Sequence, residues 1–438
     1  MEKVQFQFGF TASIFSLIYL AKFPLPLKAQ PAPNELPPRE TIQQTIPPNT
    51  QPIPETNPAS EGKKPTISVP DGLNSAQCEL SVNEANKDYT DRFLIRDIKV
   101  IGNTVLQAEI EQVDKDSQLK YRTATFEDLV CLRSRITQLY LEKGYVTSGA
   151  FLANNQDLSH GIVTIQVVEG ELEDIVITGL DRLQQSYLRS RLELAAQKPL
   201  NKNDLETGLQ LLVINPLFET VDAELTAGQK TGSNVLLINV KQARSFRASI
   251  GVDNYRAPSI GEFQGSVNLA HNNLLGFGDR LYAEYGVTEG LDIYNAGYTI
   301  PWNAYDGTIG LSYNNSNSGI IEEQFRALDI KSETETYGLN LRQPLTRSPN
   351  QEFTLGLGLD ISRRRTFLEG EPYSFSVGVE DGKSNTTVLR FSQDWVKRDA
   401  KSVLAGRSQF NLGIDAFDAT INDTGTDGKF LLWQGQFQ

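Results

Sequence analysis

From Ser245 to its last residue the chain alternates between apolar and polar positions. Phe246, Ala248, Ile250 and Val252 take turns with Arg247, Ser249, Gly251 and Asp253, and Phe263, Gly265, Val267 and Leu269 repeat the pattern. Further apolar sets are Leu281, Ala283, Tyr285 and Val287; Tyr294, Ala296, Tyr298 and Ile300; Ile309, Leu311 and Tyr313; and Tyr337, Leu339 and Leu341. After them come Phe353 to Ile361 in steps of two, Leu389 and Phe391, Phe410, Leu412 and Ile414, and Phe430 with Leu432. A period of two belongs to strands with one apolar and one polar face, and Gly, Asn, Asp and Ser clusters separate the sets, so the pattern predicts about ten strands. Strand-sized segments of this kind joined by turns are the signature of a transmembrane β-barrel. The competing architecture, a soluble sandwich or barrel, would turn the same apolar residues inward. Aromatics such as Tyr285, Tyr298, Tyr313, Phe353 and Phe391 in the apolar sets suit membrane interfaces, and the polar sets are rich in Gly, Ser, Asn and charge. The expectation from residue 244 to 438 is therefore a wall with apolar side chains toward lipid and polar ones toward a wet interior.

Ahead of the strands the periodicity is mixed, and one pattern occurs twice. In "FLIRDIKVIGNTVL", residues 93 to 106, Ile98 and Val100 alternate with Asp97 and Lys99, Gly102-Asn103 ends the strand, and a short helical segment follows Val105. "TFEDLVCLRSRITQLYLEKGY" then starts with Thr125 and Asp128 in capping-box spacing and reads as an amphipathic helix stopped at Gly144. "YVTSGAFL" and "GIVTIQVVEG" supply two further strands. About 77 positions later Ile175 and Ile177 precede Gly179, and "NKNDLETGLQLLVINP" places Leu205, Leu209, Leu212 and Val213 on one helical face. "FETVDAEL" and "NVLLINV" follow, with Leu236, Ile238 and Val240 in the places of Val163, Ile165 and Val167. Each unit reads β-α-α-β-β, so 91–169 and 170–243 are expected to be two copies of one α+β module.

Composition adds the remaining segments. Thirteen of the 20 prolines lie between Pro24 and Pro70, which marks 30–90 as an extended linker, with a Pro-rich ligand for a partner as the alternative. Lys3 and an apolar run from about Phe8 to Ala21 mark 1–29 as an export signal, with an uncleaved anchor as the alternative. A net charge of −13 removes nucleic acid as a partner. The mean hydropathy of −0.33 does not oppose a barrel, because half of each strand faces water.

Only two cysteines occur. On a helical projection Phe126, Leu129, Val130, Ile136, Leu139 and Tyr140 share one stripe, and Cys131 falls opposite, beside Glu127, Ser134 and Gln138. An exposed thiol is a liability in an oxidising compartment, so a Cys78 to Cys131 disulfide is expected, against two unrelated buried thiols. Catalytic chemistry finds no support: His160 in "LSHG" and His271 in "AHNN" have no metal-ligand spacing, "GFGD" at 276 to 279 lacks the third glycine of a phosphate cradle, and Glu322-Glu323 lies in a polar stretch between strands. No enzyme, metal or cofactor is expected.

"IKVIGNTVL", "GYVTSGAFLANNQDLSHGIVTIQVVEGELEDIVITG", "NPLFETVDAELTAGQKTGSNVLLINV" and "HNNLLGFGDRL" followed by "YNAGYTIPW" together resemble the two-partner secretion transporters, also called haemolysin secretion and activation proteins. The resemblance covers about Asp91 to the end and implies a signal, a linker, two polypeptide-transport-associated (POTRA) modules in the periplasm and a barrel in the outer membrane. The chain departs from the family at Asn154-Asn155, where a proline is usual, and at Ala227-Gly228, where Pro-Gly is common. It also lacks the family's Val-Arg-Gly-aromatic motif and a full set of strands, which implies a fragment ending mid-barrel. The implied activity is export of an unfolded partner exoprotein by a monomer in outer-membrane lipid, without nucleotide or cofactor. Capture is expected on exposed strand edges by main-chain hydrogen bonds, with Val146, Ser148 and Ala150 in one module and Val221 and Ala223 in the other as candidates; the alternative is that these are ordinary internal strands. Rival functions are an assembly factor that inserts barrels, a passive porin, and a soluble periplasmic binding protein.

Overall fold

The computed structural model describes residues 92–154, 156–399 and 401–438; the signal, the linker and Cys78 lie outside them. The first module contains β1 (Phe93–Ile95), β2 (Asp97–Ile101), α1 (Gln107–Ser117), β3 (Arg122–Ala124), α2 (Phe126–Glu142), β4 (Gly149–Leu152) and β5 (Ile162–Val168). β2 runs parallel to β5, and β4 pairs antiparallel on its other side. A separate two-stranded pairing joins β1 to β3, which the sequence pattern does not anticipate because three residues carry no readable period. The second module repeats the main sheet with β6 (Glu171–Thr178), α3 (Gln185–Ala195), α4 (Lys202–Val213), β7 (Phe218–Ala227) and β8 (Ser233–Gln242), in the order β6-β8-β7.

Each module folds around its own core. Ile98, Leu129, Ile136, Val163, Ile165 and Val167 are buried together in the first, and Ile175, Leu205, Leu209, Leu212, Leu236, Ile238 and Val240 in the second. α2 begins with the capping box that the sequence indicates: Thr125 Oγ1 accepts from the Asp128 amide, and the Asp128 carboxylate accepts from the Thr125 amide. The projection of this helix needs one correction. Cys131 and Leu132 are fully buried while Phe126 is 61% exposed, because α2 is covered by β4 and by α1, which buries a wider face than one stripe. Cys131 is not a free thiol.

The repeat is marked by two glycines. Gly102 and Gly179 both have positive φ (86° and 81°), and a Cβ on either would lie 2.4 Å and 1.9 Å from the carbonyl oxygens of Val167 and Val240, the same place in each copy.

After Ala243 the chain enters one antiparallel sheet of ten long strands, each paired with its sequence neighbours: β9 (Phe246–Asp253), β10 (Gln264–Asn272), β11 (Arg280–Val287), β12 (Leu291–Pro301), β13 (Thr308–Gly319), β14 (Lys331–Arg347), β15 (Gln351–Leu368), β17 (Lys383–Arg398), β18 (Val403–Ile414) and β19 (Phe430–Phe437). A two-residue β16 (Glu371–Pro372) pairs with the end of β15. The register aligns like with like. One row runs through Phe246, His271, Leu281, Tyr298, Leu311, Leu339, Leu359, Leu389, Leu412 and Leu431, and the next through Ala248, Leu269, Ala283, Ala296, Tyr313, Tyr337 and Ile361. Ile250, Leu311, Leu339, Leu357, Phe410 and Leu431 stand 40 to 83% exposed, so the apolar face looks away from the protein. An outward apolar face this continuous is what the lipid-facing side of a transmembrane barrel presents. Tyr285–Tyr294 and Tyr313–Tyr337 are direct cross-strand pairs with ring centroids 4.9 and 5.2 Å apart. His271 lies within β10, and His160 sits in a turn. Among the described residues no helix is long and apolar enough to cross a membrane; the crossing elements are strands.

Candidate functional site

The face opposite the leucine row is wet. Its rows read Glu284, Asn295, Asn314, Thr336, Ser362 and, one step nearer the modules, Tyr282, Gly297, Ser312, Gly338, Asp360. All of these but Gly297 and Gly338 line a concave cavity of about 980 Å³. Two ion pairs lie within it: Asp360 is 2.8 Å from Arg390, and Asp394 2.5 Å from Arg407. Along the interior strands β10 to β18 the backbone groups are satisfied strand to strand, which leaves the polar side chains of this face to hydrate a path through lipid.

The second functional element is the unpaired edges of the two modules. β4 and β7 each pair on one side only. They differ in what they offer. In β7 the Gly228 amide donates to Ser233 O, and stepping back by twos through the register turns Thr226, Glu224 and Asp222 toward β8. The backbone groups of Val221, Ala223 and Leu225 therefore point away from the ladder, in line to receive another strand. In β4 the Ala153 amide donates to Thr164 O, which leaves Ala150 pointing outward, but its N–H already donates to Thr137 Oγ1 of α2 at 3.0 Å. That hydroxyl blunts the first edge.

The candidate edge residues are placed as follows. Ser148 and Ala150 are each 1% exposed and Val221 6%, so their side chains face the module cores and not a groove. Ser148 Oγ accepts from the Gly170 amide. Val146 lies in the turn before β4, and Ala223 is half-buried within β7. What Val221 and Ala223 present outward is backbone.

A residue that sequence reasoning passed over holds the first module together. Glu169, 7% exposed, accepts from the Thr104 amide at 2.7 Å, the Thr104 hydroxyl at 2.5 Å, the Val105 amide at 3.2 Å and the Tyr140 hydroxyl at 2.9 Å. It thereby ties the β2–α1 loop and α2 to the end of β5. Burial alone would push its carboxyl up; the donors from Thr104, Tyr140 and Val105 outweigh burial and hold it below the usual carboxylate value. Burial beside Glu169 pushes the Tyr140 phenol up. The signal was available: Glu169 continues the apolar phase Val163, Ile165, Val167, where an acid has to be satisfied or expelled.

Two family models match the chain. Residues 232–438 fit "Haemolysin secretion/activation protein ShlB/FhaC/HecB", and residues 93–170 fit "POTRA domain, ShlB-type". Among curated relatives, the outer membrane transporter CdiB of Escherichia coli is 28% identical over 266 residues, 57% of this chain and 44% of the relative. The hemolysin transporter protein ShlB of Serratia marcescens is 25% identical over 284 residues, 63% of this chain and 48% of the relative. The solved structure of CdiB from Escherichia coli shares the fold with a TM-score of 0.60 at 24% identity, covering 81% of this chain and 66% of the other. This chain spans 40 to 50% of the length of the curated relatives it matches.

A lipid-facing antiparallel wall preceded by two small α+β modules defines an outer-membrane β-barrel protein with periplasmic POTRA modules. The match to residues 232–438 makes the assignment specific. Residues 232–438 thus match the haemolysin secretion/activation protein family, and residues 93–170 match its ShlB-type POTRA domain.

Proposed function

We propose that this chain is part of a monomeric transporter that captures an unfolded exoprotein on its POTRA modules and passes it through the barrel across the outer membrane. The observation that carries the reading is the β7 edge: from Val221 to Leu225 alternate backbone groups face away from β8, and among the described residues no strand covers them. An extended client pairs there by main-chain hydrogen bonds, which tolerate many sequences. The polar inner face then offers it a hydrated wall, and folding of the client outside supplies direction without nucleotide. A passive porin has no use for such an edge.

The test is Ala223→Pro. Proline removes an N–H that points away from the ladder, so the module keeps its own hydrogen bonds while an incoming strand loses a donor and meets a ring. Export of a partner exoprotein should fall at least about tenfold, the effect of losing one or two main-chain bonds of about 1 kcal/mol each plus a steric clash. The melting profile of the modules should not move. Export at the unaltered rate would refute capture at β7. Removing 91–243 as a whole should abolish export while the barrel still inserts.

A further inference from the structure

The second module is fastened to the barrel at two places, both built from residues that the export reading does not otherwise use. The first is the β10–β11 turn, residues 273–279. Inside the turn the Asp279 side chain, fully buried, accepts from the Leu275 and Phe277 amides, and Asn273 Oδ1 accepts from the Gly278 amide. On its outer surface Leu274 O accepts from Arg182 Nη2 at 2.9 Å, and Gly276 O accepts from the Gln184 amide at 2.8 Å. Gly278, at φ 76°, leaves room for Tyr187: a Cβ there would lie 2.4 Å from the Tyr187 ring. The glycine-rich turn is thus a seat for the start of α3.

The second place is Asp306, in the β12–β13 turn. The Tyr187 ring that rests on Gly278 also carries the Arg191 guanidinium, 3.5 Å from the ring centroid. Arg191 donates through Nε to Asp306 Oδ1 at 2.8 Å, and the other oxygen, Oδ2, accepts from Arg347 at the end of β14. Arg347 in turn lies 3.8 Å from Glu352, which pairs with Arg342, a residue lining the inner cavity. The Arg191 and Asp306 side chains are only 10 and 22% exposed. Three separated stretches of chain, 182–191, 273–279 and 303–347, thus meet in one continuous stack of glycine, tyrosine, arginine, aspartate and arginine.

We propose that Asp306 is a positioning residue that clamps the second POTRA module at one fixed angle on the barrel rim, by sharing its carboxylate between Arg191 of the module and Arg347 of the wall. Small interfaces between domains leave relative motion as the default. A carboxylate shared by two guanidiniums and shielded from water opposes that motion, because separating the pieces leaves unpaired charge at a partly buried site. Gly278 and Tyr187 set the distance, and Asp306 sets the rotation. The importance of a fixed angle for passing a client from β7 into the barrel rests on the export reading; the clamp itself does not.

The measurement is a spin-label distance distribution on the full chain in lipid nanodiscs, with labels at Asp204→Cys on α4 and Lys401→Cys in the exposed β17–β18 turn. The parent should give one narrow peak. Asp306→Ala should broaden it at least about twofold, as expected when a domain returns to free relative motion. Asp306→Glu should restore most of the narrowing, and Gly278→Ala should shift the mean by pushing Tyr187 away. Arg191→Met tests the same pair from the module side, and its broadening should match that of Asp306→Ala should the turn variant fail to insert. Unchanged width in Arg191→Met, or in a correctly inserted Asp306→Ala, overturns the clamp. No client enters this measurement, so its outcome is independent of the Ala223→Pro export test.

Discussion

Replacing Glu169 by alanine is expected to destabilise the first POTRA module by about 3 kcal/mol, the range for removing a buried charged acceptor and orphaning its donors. Four donors lose this partner at once; the Tyr140 hydroxyl bond is buried and the Thr104 and Val105 amide bonds are part-buried. Hydrogen exchange on the full chain should show it as faster exchange throughout β5 and α2, with the second module unchanged. Glu169→Gln keeps the shape but puts an amide where only acceptors fit, and should lie between alanine and the parent. The pH dependence has a defined sign. The carboxyl is lowered in the folded module, so its stabilisation is fully present above the ordinary glutamate value of about 4.3 and is lost as pH falls through the lower folded value. The difference between parent and Glu169→Gln should shrink over that acid window and nowhere else. Equal exchange rates in parent and Glu169→Ala would remove this residue from the account of the fold.

The second large effect concerns the leucine row. Leu311→Arg places a charge on the lipid face of β13, where Leu311 is 58% exposed between Tyr298 and Leu339, and should cost about 2–4 kcal/mol of insertion. Asn314→Arg lies on the same strand three positions on, faces the cavity in the row of Glu284 and Asn295, and should insert at nearly the parental level. The readout is the fraction kept in membranes after a urea wash, together with heat-dependent mobility on gels. Equal loss in both variants would mean that the two faces of the wall are assigned the wrong way round.

How much of this was legible in the sequence follows from range. The ten long strands were, because a period of two written over eight or more residues survives without any knowledge of partners. Thr125 and Asp128 were, because a capping box is local. The repeat was visible in Gly102 and Gly179 and in the phased Val163 and Leu236 sets. The residues that join distant parts were not. Arg191 and Asp306 are 115 positions apart, and nothing in either neighbourhood names the other. Thr137, which closes the Ala150 amide, reads as an ordinary helix residue until α2 is laid beside β4. Cys131 was misplaced for a similar reason: a projection knows one face of a helix, and α2 has covers on two.

The β7 edge carries Asp222 and Glu224 on its exposed face, with Ala223 between them. Two copies of this strand brought side by side would set carboxylate against carboxylate, which opposes pairing of the edge with itself. The open edge is therefore self-avoiding. On the export reading proposed above, the same charges would favour neutral or basic client segments over acidic ones, a coarse selectivity set by side chains on a strand whose backbone is indifferent to sequence.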